Sequence, residues 1–441
     1  MSPTIERIAS DERLPTEVDV VVIGAGIVGS AAAYFLAKRG HSVALLEKGV
    51  VGAEQSSRNW GWCRQQNRDA RELPLAMRAM ELWERFNGEI GRDIGFRRTG
   101  LVYASNDADQ IAQWEKWRGT ARQFGIDTRM LSGAEASAMT SGTGRSWLGG
   151  VHSVSDGKAE PALAAPVLAH GARLNGATIH QDCAARGLDV TNGAVTGVIT
   201  EKGSIRTRSV ILSGGAWASA FCRRHGLRFP QASARQSILR TEIAPQLLDA
   251  LYTPDCALTR RLDGSYTIAI SGKATLDLTP QGLRYARDFM PMFVRRLKAL
   301  EFGIGPSFFK GPEALMGSWA FDKETPFERV RVLDPAPSRS AIALTMARAR
   351  ALYPALKDVG IRESWSGYVD STPDAVPVIS PVAGLKGFVL AAGCSGHGFG
   401  LGPGIGHLAA DLAVNDTPIV DPYPFRHSRL IDGSRGEIGE F

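Results

Sequence analysis

The sequence predicts an α/β protein of two domains, one built on a parallel sheet and the other an α+β domain on a mixed, largely antiparallel sheet. Three observations predict it. Residues 18–47 read as a β-branched strand, a glycine turn, an alanine-rich helix and a second apolar strand. Strands in such a βαβ unit are covered on both faces, so they appear as continuous apolar runs. The same pattern returns at residues 209–217, where Val210, Ile211 and Leu212 run into Gly214, Gly215 and Trp217. Between and beyond these runs, residues 236–242 and 265–270 alternate in polarity, as strands with one covered face do. A chain of 441 residues also exceeds one domain at roughly 150 residues each.

Taken in order, residues 18–23 form the first strand and 27–39 the first helix, which Gly40 closes before a strand over 41–47. The polar stretch 52–69 interrupts the pattern. Leu73, Met77, Met80, Leu82 and Phe86 then recur at helical spacing, predicting a helix over 72–87. A strand over 100–105, a turn at Asp156-Gly157, a helix over 161–174 and strands over 177–180 and 195–200 follow. Helices are expected over 291–300, with Pro291 in the first turn, over 340–356, and over 403–414, again opened by proline. The parallel-sheet domain is expected from residues 17–95, 150–225 and 360–430, and the second domain from 96–149 and 226–359. Residues 1–16 and 431–441 are expected as flexible ends.

Lys plus Arg number 51 against 45 Asp plus Glu, a net charge of +6 with no basic stripe, so no nucleic-acid partner is expected. Such a field suits an anionic cofactor or substrate. Glycine is abundant at 49 residues, but without the G-x-y repeat of collagen. The five cysteines, Cys63, Cys183, Cys222, Cys256 and Cys394, include no C-x-x-C pair, so neither a metal site nor a disulfide framework is expected and a reducing, cytoplasmic setting fits. The first fifteen residues carry acids and no apolar block, unlike a secretory signal. Residues 20–37 are uncharged and long enough for a membrane span, yet Gly24, Gly26 and Gly29 divide them into strand and helix; glycines, His397, His407 and Pro403 likewise argue against a span over 387–410.

Gly24-Ala25-Gly26-Ile27-Val28-Gly29 matches G-x-G-x-x-G, and Glu47 ends the next strand. In this setting the first glycine makes the tight turn, the second admits a pyrophosphate, the third lets helix and strand approach, and the acid accepts hydrogen bonds from a ribose. The helix N-terminus at Ile27 favours the phosphate charge. The motif predicts a Rossmann-like dinucleotide site, with the acid disfavouring NADP. It leaves NAD and FAD undivided.

Four segments together resemble the D-amino-acid oxidase-like family of FAD-dependent oxidoreductases, which includes glycine oxidase, sarcosine oxidase and D-amino-acid dehydrogenases. They are residues 20–48; the loop from Gly52 through Ser56, Ser57, Arg58, Trp60 and Gly61; residues 210–217; and residues 365–406. The last carries Trp365-Ser366-Gly367, Thr372-Pro373-Asp374 and Gly396-His397-Gly398-Phe399-Gly400 in the family's order. The resemblance implies FAD as cofactor, with Gly24, Gly26, Ile27, Gly29, Glu47 and Lys48 at the adenosine and pyrophosphate end. It implies Ser56, Ser57, Arg58, Trp60 and Gly61 along the ribityl chain and ring, Gly214 and Trp217 beside them, and Gly396, His397, Gly398, Phe399 and Gly400 at the pyrimidine edge. Members that attach FAD covalently use a His or Cys where this chain has Arg58 and Gly367, so dissociable FAD is expected.

The activity implied is oxidation of a C–N bond in an amino acid or related amine, by hydride transfer to flavin N5 and hydrolysis of the resulting imine. The electron acceptor would be oxygen or another acceptor; the alternative is a flavoprotein subunit of a multi-component dehydrogenase that passes electrons to a partner or quinone. A non-catalytic nucleotide-binding protein is a third reading. The chain departs from the family at the substrate: glycine oxidase-like members carry an arginine where Val369 stands, and sarcosine oxidase-like members a lysine after the H-G-F-type loop, where this chain has Gly400. Either another basic residue supplies the carboxylate clamp, with Arg64 beside the cofactor loop the first candidate and Arg235 and Arg240 behind it, or the substrate is an amine or a bulkier compound without a conventional α-carboxylate. Lys273 stands near where oxidase relatives keep a lysine over the flavin. Tyr266, Trp319 and Tyr368 are candidate pocket walls.

Overall fold

The computed structural model describes residues 3–270, 274–297, 300–309, 311–314 and 318–438. Its first sheet runs in the order Val378–Pro381, Phe388–Ala392, Ser209–Leu212, Val20–Ile23, Val43–Leu46, Thr178–His180. All neighbours are parallel except the first pair. Alternate residues of a strand face opposite ways, and each face has its own core. Val20 and Val22 pack with the helices Ile27–Lys38, Leu73–Ile90, Pro161–Leu174 and Gly398–Val414. Val21 and Ile23 pack with the helix Ala218–Arg224 and with a three-stranded meander, Ala185–Thr191, Ala194–Thr200 and Gly203–Arg206. Helices Ile27–Lys38 and Gly398–Val414 meet closely because Gly406 has no side chain: a Cβ there would lie 2.6 Å from the Val28 carbonyl oxygen.

The second sheet is mixed and largely antiparallel. Its centre is the strand Ala232–Thr241, paired along its length with Ile361–Ser371, so that Arg235 faces Tyr368, Ala234 faces Val369 and Ser233 faces Asp370. Two strands from segments expected in the first domain, Gly149–Ser153 and Ile361–Ser371, lie in this sheet. The long strand thus begins in the second sheet and delivers the chain to the turn at Thr372, beside the parallel sheet.

Some elements differ from expectation. Pro291 lies inside the helix Ala286–Arg296, not in its first turn, and Leu300 begins the strand Leu300–Gly303. The buried Tyr285 starts that helix early, its carbonyl accepting hydrogen bonds from the N–H groups of Asp288 and Phe289. Pro403 likewise lies within the helix Gly398–Val414, which starts where the His397 carbonyl accepts the Leu401 N–H. The helix Arg339–Leu352 stops short of 356 because Pro354 removes a donor and disfavours helical geometry at Tyr353. Residues 3–16, expected as a mobile extension, are held to the parallel domain: the N–H of Glu6 donates to Ala162, that of Asp11 to Ile179, and Arg173 pairs with Asp11 at 2.5 Å. At the other end, Arg71 donates to the Glu437 carbonyl. All five cysteines are free. Among the described residues no helix is long and apolar enough to cross a membrane, and no cluster of His, Cys, Asp or Glu could hold a metal ion.

Candidate active site

Two cavities share a wall formed by Gln55, Asn59, Val369, Gly396 and Phe399. The narrower, about 190 Å3, follows the glycine turn at the C-terminal ends of the parallel strands. Gly24 adopts φ +97°, and a Cβ on Gly29 would lie 1.9 Å from the Gly24 carbonyl oxygen, so the turn closes only on glycine. Gly26 lines the cavity, where a Cβ would approach Ser56 Oγ at 3.0 Å. Ser56 Oγ accepts the Ile27 N–H at 2.9 Å, holding its loop across the helix start.

The Glu47 carboxylate accepts the N–H groups of Ala25 and Gly49, both at 2.9 Å, and burial raises its pKa. Lys48 donates to Glu54 at 2.6 Å and to the carbonyls of Val330 and Arg331, with its ammonium 4.5 Å from the Trp217 ring centre. Arg58 is buried; it donates to the carbonyls of Leu333 and Ser366 and pairs with Asp334 at 3.4 Å, tying the loop to two distant segments. Burial lowers its pKa. Gly214, Trp217, Tyr368, Gly396, Gly398 and Phe399 complete the lining. Ser57 and Gly61 do not line it: Ser57 donates to the Glu54 carbonyl, and Gly61, at φ +83°, makes the turn against Ala159.

Two helices point their N-termini at this cavity, Ile27–Lys38 and Gly398–Val414. First-turn N–H groups lack intrahelical partners and carry the positive end of the helix dipole. Glycines without Cβ, a terminal carboxylate and two positive helix ends fit the two anionic regions of an FAD, its pyrophosphate and its reduced ring. The donor set therefore fits the cofactor expected from the sequence.

The larger cavity, about 1490 Å3, lies between the cofactor loop and the second sheet. Trp60, Trp62, Tyr103, Trp114 and Tyr252 form an aromatic wall, and Phe289 and Phe293 stand on another side. His397 and Gly400 border it rather than the narrower cavity. The Nδ1 of His397 lies 2.9 Å from Glu72, and burial foremost pushes the imidazole down to about 4, so the ring is neutral near pH 7.

Arg64 reaches into this cavity, donating to the Tyr103 hydroxyl at 3.0 Å and lying 5.7 Å from the Trp62 ring centre. Burial opposes its charge, but Tyr103 and Asp156 outweigh it and raise the pKa. Sequence reasoning missed Arg68. It lines the same cavity at 4% exposure, and its Nε and Nη1 have no hydrogen-bond partner among the described residues; Trp62 Nε1, on the same wall, is also unpartnered. Burial, with Arg64 alongside, pushes its guanidinium down to about 9, which leaves it charged at neutral pH. Buried Asp156 accepts the N–H groups of Gln65 and Gln66 and so fixes the loop that carries both arginines. The only signal in the sequence was a second arginine four residues after Arg64.

Other candidates lie elsewhere. Arg240 is occupied by Ser265, Glu363 and Asp263, and Arg235 by Asp277 and the Ala336 carbonyl. Tyr266 is a core residue whose hydroxyl accepts the Leu247 N–H, and Trp319 donates to the Arg186 carbonyl behind the parallel sheet; neither forms a wall of these cavities. Tyr368 lines the narrower cavity, not the larger. Lys273 lies outside the described residues.

Glu313, on the short turn Pro312–Ala314 and 7% exposed, is also among the residues that line the larger cavity. Its Oε2 accepts the Thr279 hydroxyl at 2.8 Å.

A parallel-sheet turn of the dinucleotide-binding kind that opens onto a larger cavity under a second sheet is the arrangement of a dinucleotide-binding domain joined to a second domain. The chain belongs to the FAD dependent oxidoreductase family, whose family model matches residues 19–412. Among solved structures, L-amino acid deaminase from Proteus myxofaciens, in complex with anthranilate, superposes with a TM-score of 0.92 at 30% identity, over 97% of this chain and 98% of that one. Glycine oxidase of Geobacillus kaustophilus is 25% identical over 96% of this chain and 98% of its own. The 4-methylaminobutanoate oxidase (formaldehyde-forming) of Paenarthrobacter nicotinovorans is 26% identical over 93% of this chain, which spans 45% of that protein's length.

Proposed function

We propose that this protein oxidises the C–N bond of an α-amino acid with a bulky apolar side chain, with FAD in the narrower cavity and the substrate in the larger. The observation that carries it is Arg68, a buried cation that lines a chamber walled by aromatics and has two donors without a partner among the described residues. Buried donors without partners are rare and costly, and a carboxylate satisfies a guanidinium with two parallel hydrogen bonds. The domain division follows the two sheets, FAD on the parallel one and substrate under the other. The similarity to an L-amino acid deaminase, a glycine oxidase and a 4-methylaminobutanoate oxidase supports C–N bond oxidation, and the anthranilate in the first complex is an aromatic carboxylate.

Bound FAD supplies a two-electron acceptor for the substrate's α-hydride. Gly24, Gly26, Ile27, Ser56, Glu47 and the start of the Gly398–Val414 helix hold it. Arg68, with Arg64 and Trp62 Nε1, receives the substrate carboxylate in place of the family anchors replaced here by Val369 and Gly400. Trp60, Tyr103, Trp114 and Tyr252 cover the side chain and exclude water, which strengthens the ionic anchor. His397, neutral and bonded to Glu72, positions the helix start. Oxygen uptake set against dye reduction would tell oxygen from another electron acceptor. Free, mostly buried cysteines suit a reducing compartment such as the cytoplasm.

Anaerobic addition of L- or D-phenylalanine to the yellow protein is expected to bleach the flavin bands, whereas phenylethylamine, which lacks the carboxylate, reacts at least ~100-fold more slowly, the loss of one buried ionic anchor of roughly 3 kcal/mol. Equal rates for both would refute the carboxylate anchor. FAD is held without a covalent bond: Arg58 and Gly367 stand where a nucleophile would be needed, and burial raises the Cys394 thiol well above its ordinary range. Acid precipitation should therefore leave the yellow colour in the supernatant, and a coloured pellet would contradict this.

A further inference from the structure

Resting on the placement of FAD in the narrower cavity, we propose that Gln231 and Asp370 are positioning residues whose hydrogen bond ties together two turns that line this cavity and so holds the start of the helix Gly398–Val414 against the cofactor. The turns leave neighbouring strands. Ser209–Leu212 and Phe388–Ala392 pair in parallel, and from their ends the chain runs into Gly214–Trp217 and into Gly393–Gly396. Gly214, Gly215 and Trp217 of the first turn line the cavity, as do Cys394 and Gly396 of the second. Gln231 is fully buried. Its side-chain amide donates to the Gly215 carbonyl at 2.9 Å and to Asp370 Oδ2 at 3.0 Å, while its oxygen accepts the Ser219 N–H at 3.0 Å. The same Oδ2 accepts the Gly393 N–H at 3.0 Å, and the Asp370 carbonyl accepts the Ser395 N–H at 2.7 Å. A continuous line of bonds thus joins one turn to the other, and the second turn leads through His397 into the helix.

The second turn needs such support. Gly393 and Gly396 adopt φ +73° and +84°, and between them Ser395, which is not glycine, adopts φ +53°. A left-handed serine persists only where the surrounding bonds determine it. Here its N–H is held by the Asp370 carbonyl, its hydroxyl donates to the Gly393 carbonyl at 3.1 Å, and the same oxygen accepts the Thr372 N–H at 3.2 Å. The Gln231 amide is held one way round, because turning it over would set its N–H groups against that of Ser219. Burial foremost pushes the Asp370 carboxyl up to about 6, so it is ionised at neutral pH and accepts both bonds as a carboxylate.

Both residues also stand where the chain crosses between the sheets. Gln231 immediately precedes the strand Ala232–Thr241, its carbonyl accepting the Gln281 side-chain amide at 2.9 Å. Asp370 lies near the end of Ile361–Ser371, where it faces Ser233 and lines the narrower cavity. One bond therefore fixes the outgoing and the returning crossing to the cofactor turns. Without it the turns are free to separate and the helix start to withdraw. Its first-turn N–H groups favour negative charge, which the ring gains on reduction, so the loss falls more heavily on reduced than on oxidised FAD and lowers the reduction potential.

The test titrates FAD into the FAD-free full-length protein and measures the bound flavin's reduction potential against a reference dye, so it needs no substrate. Gln231→Glu removes both donors and sets two buried carboxylates against each other; it should weaken FAD binding on the order of 10²-fold and lower the potential. Asp370→Asn sets an amide against an amide and should weaken binding about 10-fold. Combining the two reverses the bond, an amide at position 370 donating to a carboxylate at position 231, with the net charge of the wild type. Affinity should then return to within about fivefold of wild type, and the potential with it. If Gln231→Glu alone does not fold, a folded double variant that binds FAD supports the same pairing. A double variant as weak as the two single losses combined would overturn the proposal, as would single variants that hold FAD like the wild type. Gly26→Ala separates the two readings. If it weakens FAD binding while the Gln231 and Asp370 variants do not, only this proposal fails; if none of them does, the placement of FAD in the narrower cavity fails with it.

Discussion

Arg68→Met is expected to lower kcat/KM for the amino-acid substrate by about 10²–10³-fold, equivalent to roughly 3–4 kcal/mol, while the flavin remains bound. The magnitude follows from losing a bidentate, charge-assisted pair in a buried site, which also leaves the substrate carboxylate desolvated and unpaired. Arg68→Lys should recover only part, because an ammonium is a point charge without the planar fork. Stopped-flow flavin reduction gives the rate, and 3-phenylpropanoate titration isolates the carboxylate contact. Both should weaken together. A loss of less than about fivefold would move the anchor to Arg64, whose one identified hydrogen bond is to Tyr103.

Gly29→Ala is expected to yield colourless protein. The added methyl would stand 1.9 Å from the Gly24 carbonyl oxygen and 2.4 Å from Ser213 Oγ, and the first of these is backbone that cannot swing aside. Strand and helix would separate at the turn, with a destabilisation of about 3 kcal/mol or more. Gly26→Ala meets only the movable Ser56 hydroxyl at 3.0 Å, so it should fold and lose flavin affinity through the methyl alone. The ratio of visible to ultraviolet absorbance and the melting temperature distinguish the two. A yellow Gly29→Ala protein with an unchanged melting temperature would show that the turn tolerates a side chain.

How much was readable depended on the range of the interaction. The unit at residues 18–47 was readable because β-branched strands, alanine-rich helix and glycine turn each state their conformation locally. The helix Ala108–Gln123 escaped the same reading: it buries only Trp114, Trp117 and Ala121, too few for a clear apolar stripe, although Asp107 caps it. Pro291 and Pro403 misled because proline favours a first turn locally, whereas buried Tyr285 and the His397–Glu72 contact start those helices earlier. Arg64 could be suspected from its place after the cofactor loop. Arg68 could not, since burial and a missing hydrogen-bond partner are properties of surroundings.

The sequence by itself determined the dinucleotide turn, the family resemblance and the absence of the familiar carboxylate anchors, all of which rest on residue type and spacing over short stretches. Only the tertiary structure brought together the groups proposed to take their place. Arg64 and Arg68 follow the cofactor loop, and Tyr103 and Tyr252 come from the second sheet. The long strand Ile361–Ser371 pairs along Ala232–Thr241 in the second sheet before the chain passes to the parallel one, so such segments meet only in the folded chain. An ionic group's role here is set by the dielectric and the unpaired donors around it, and those exist only once distant parts of the chain have closed over it.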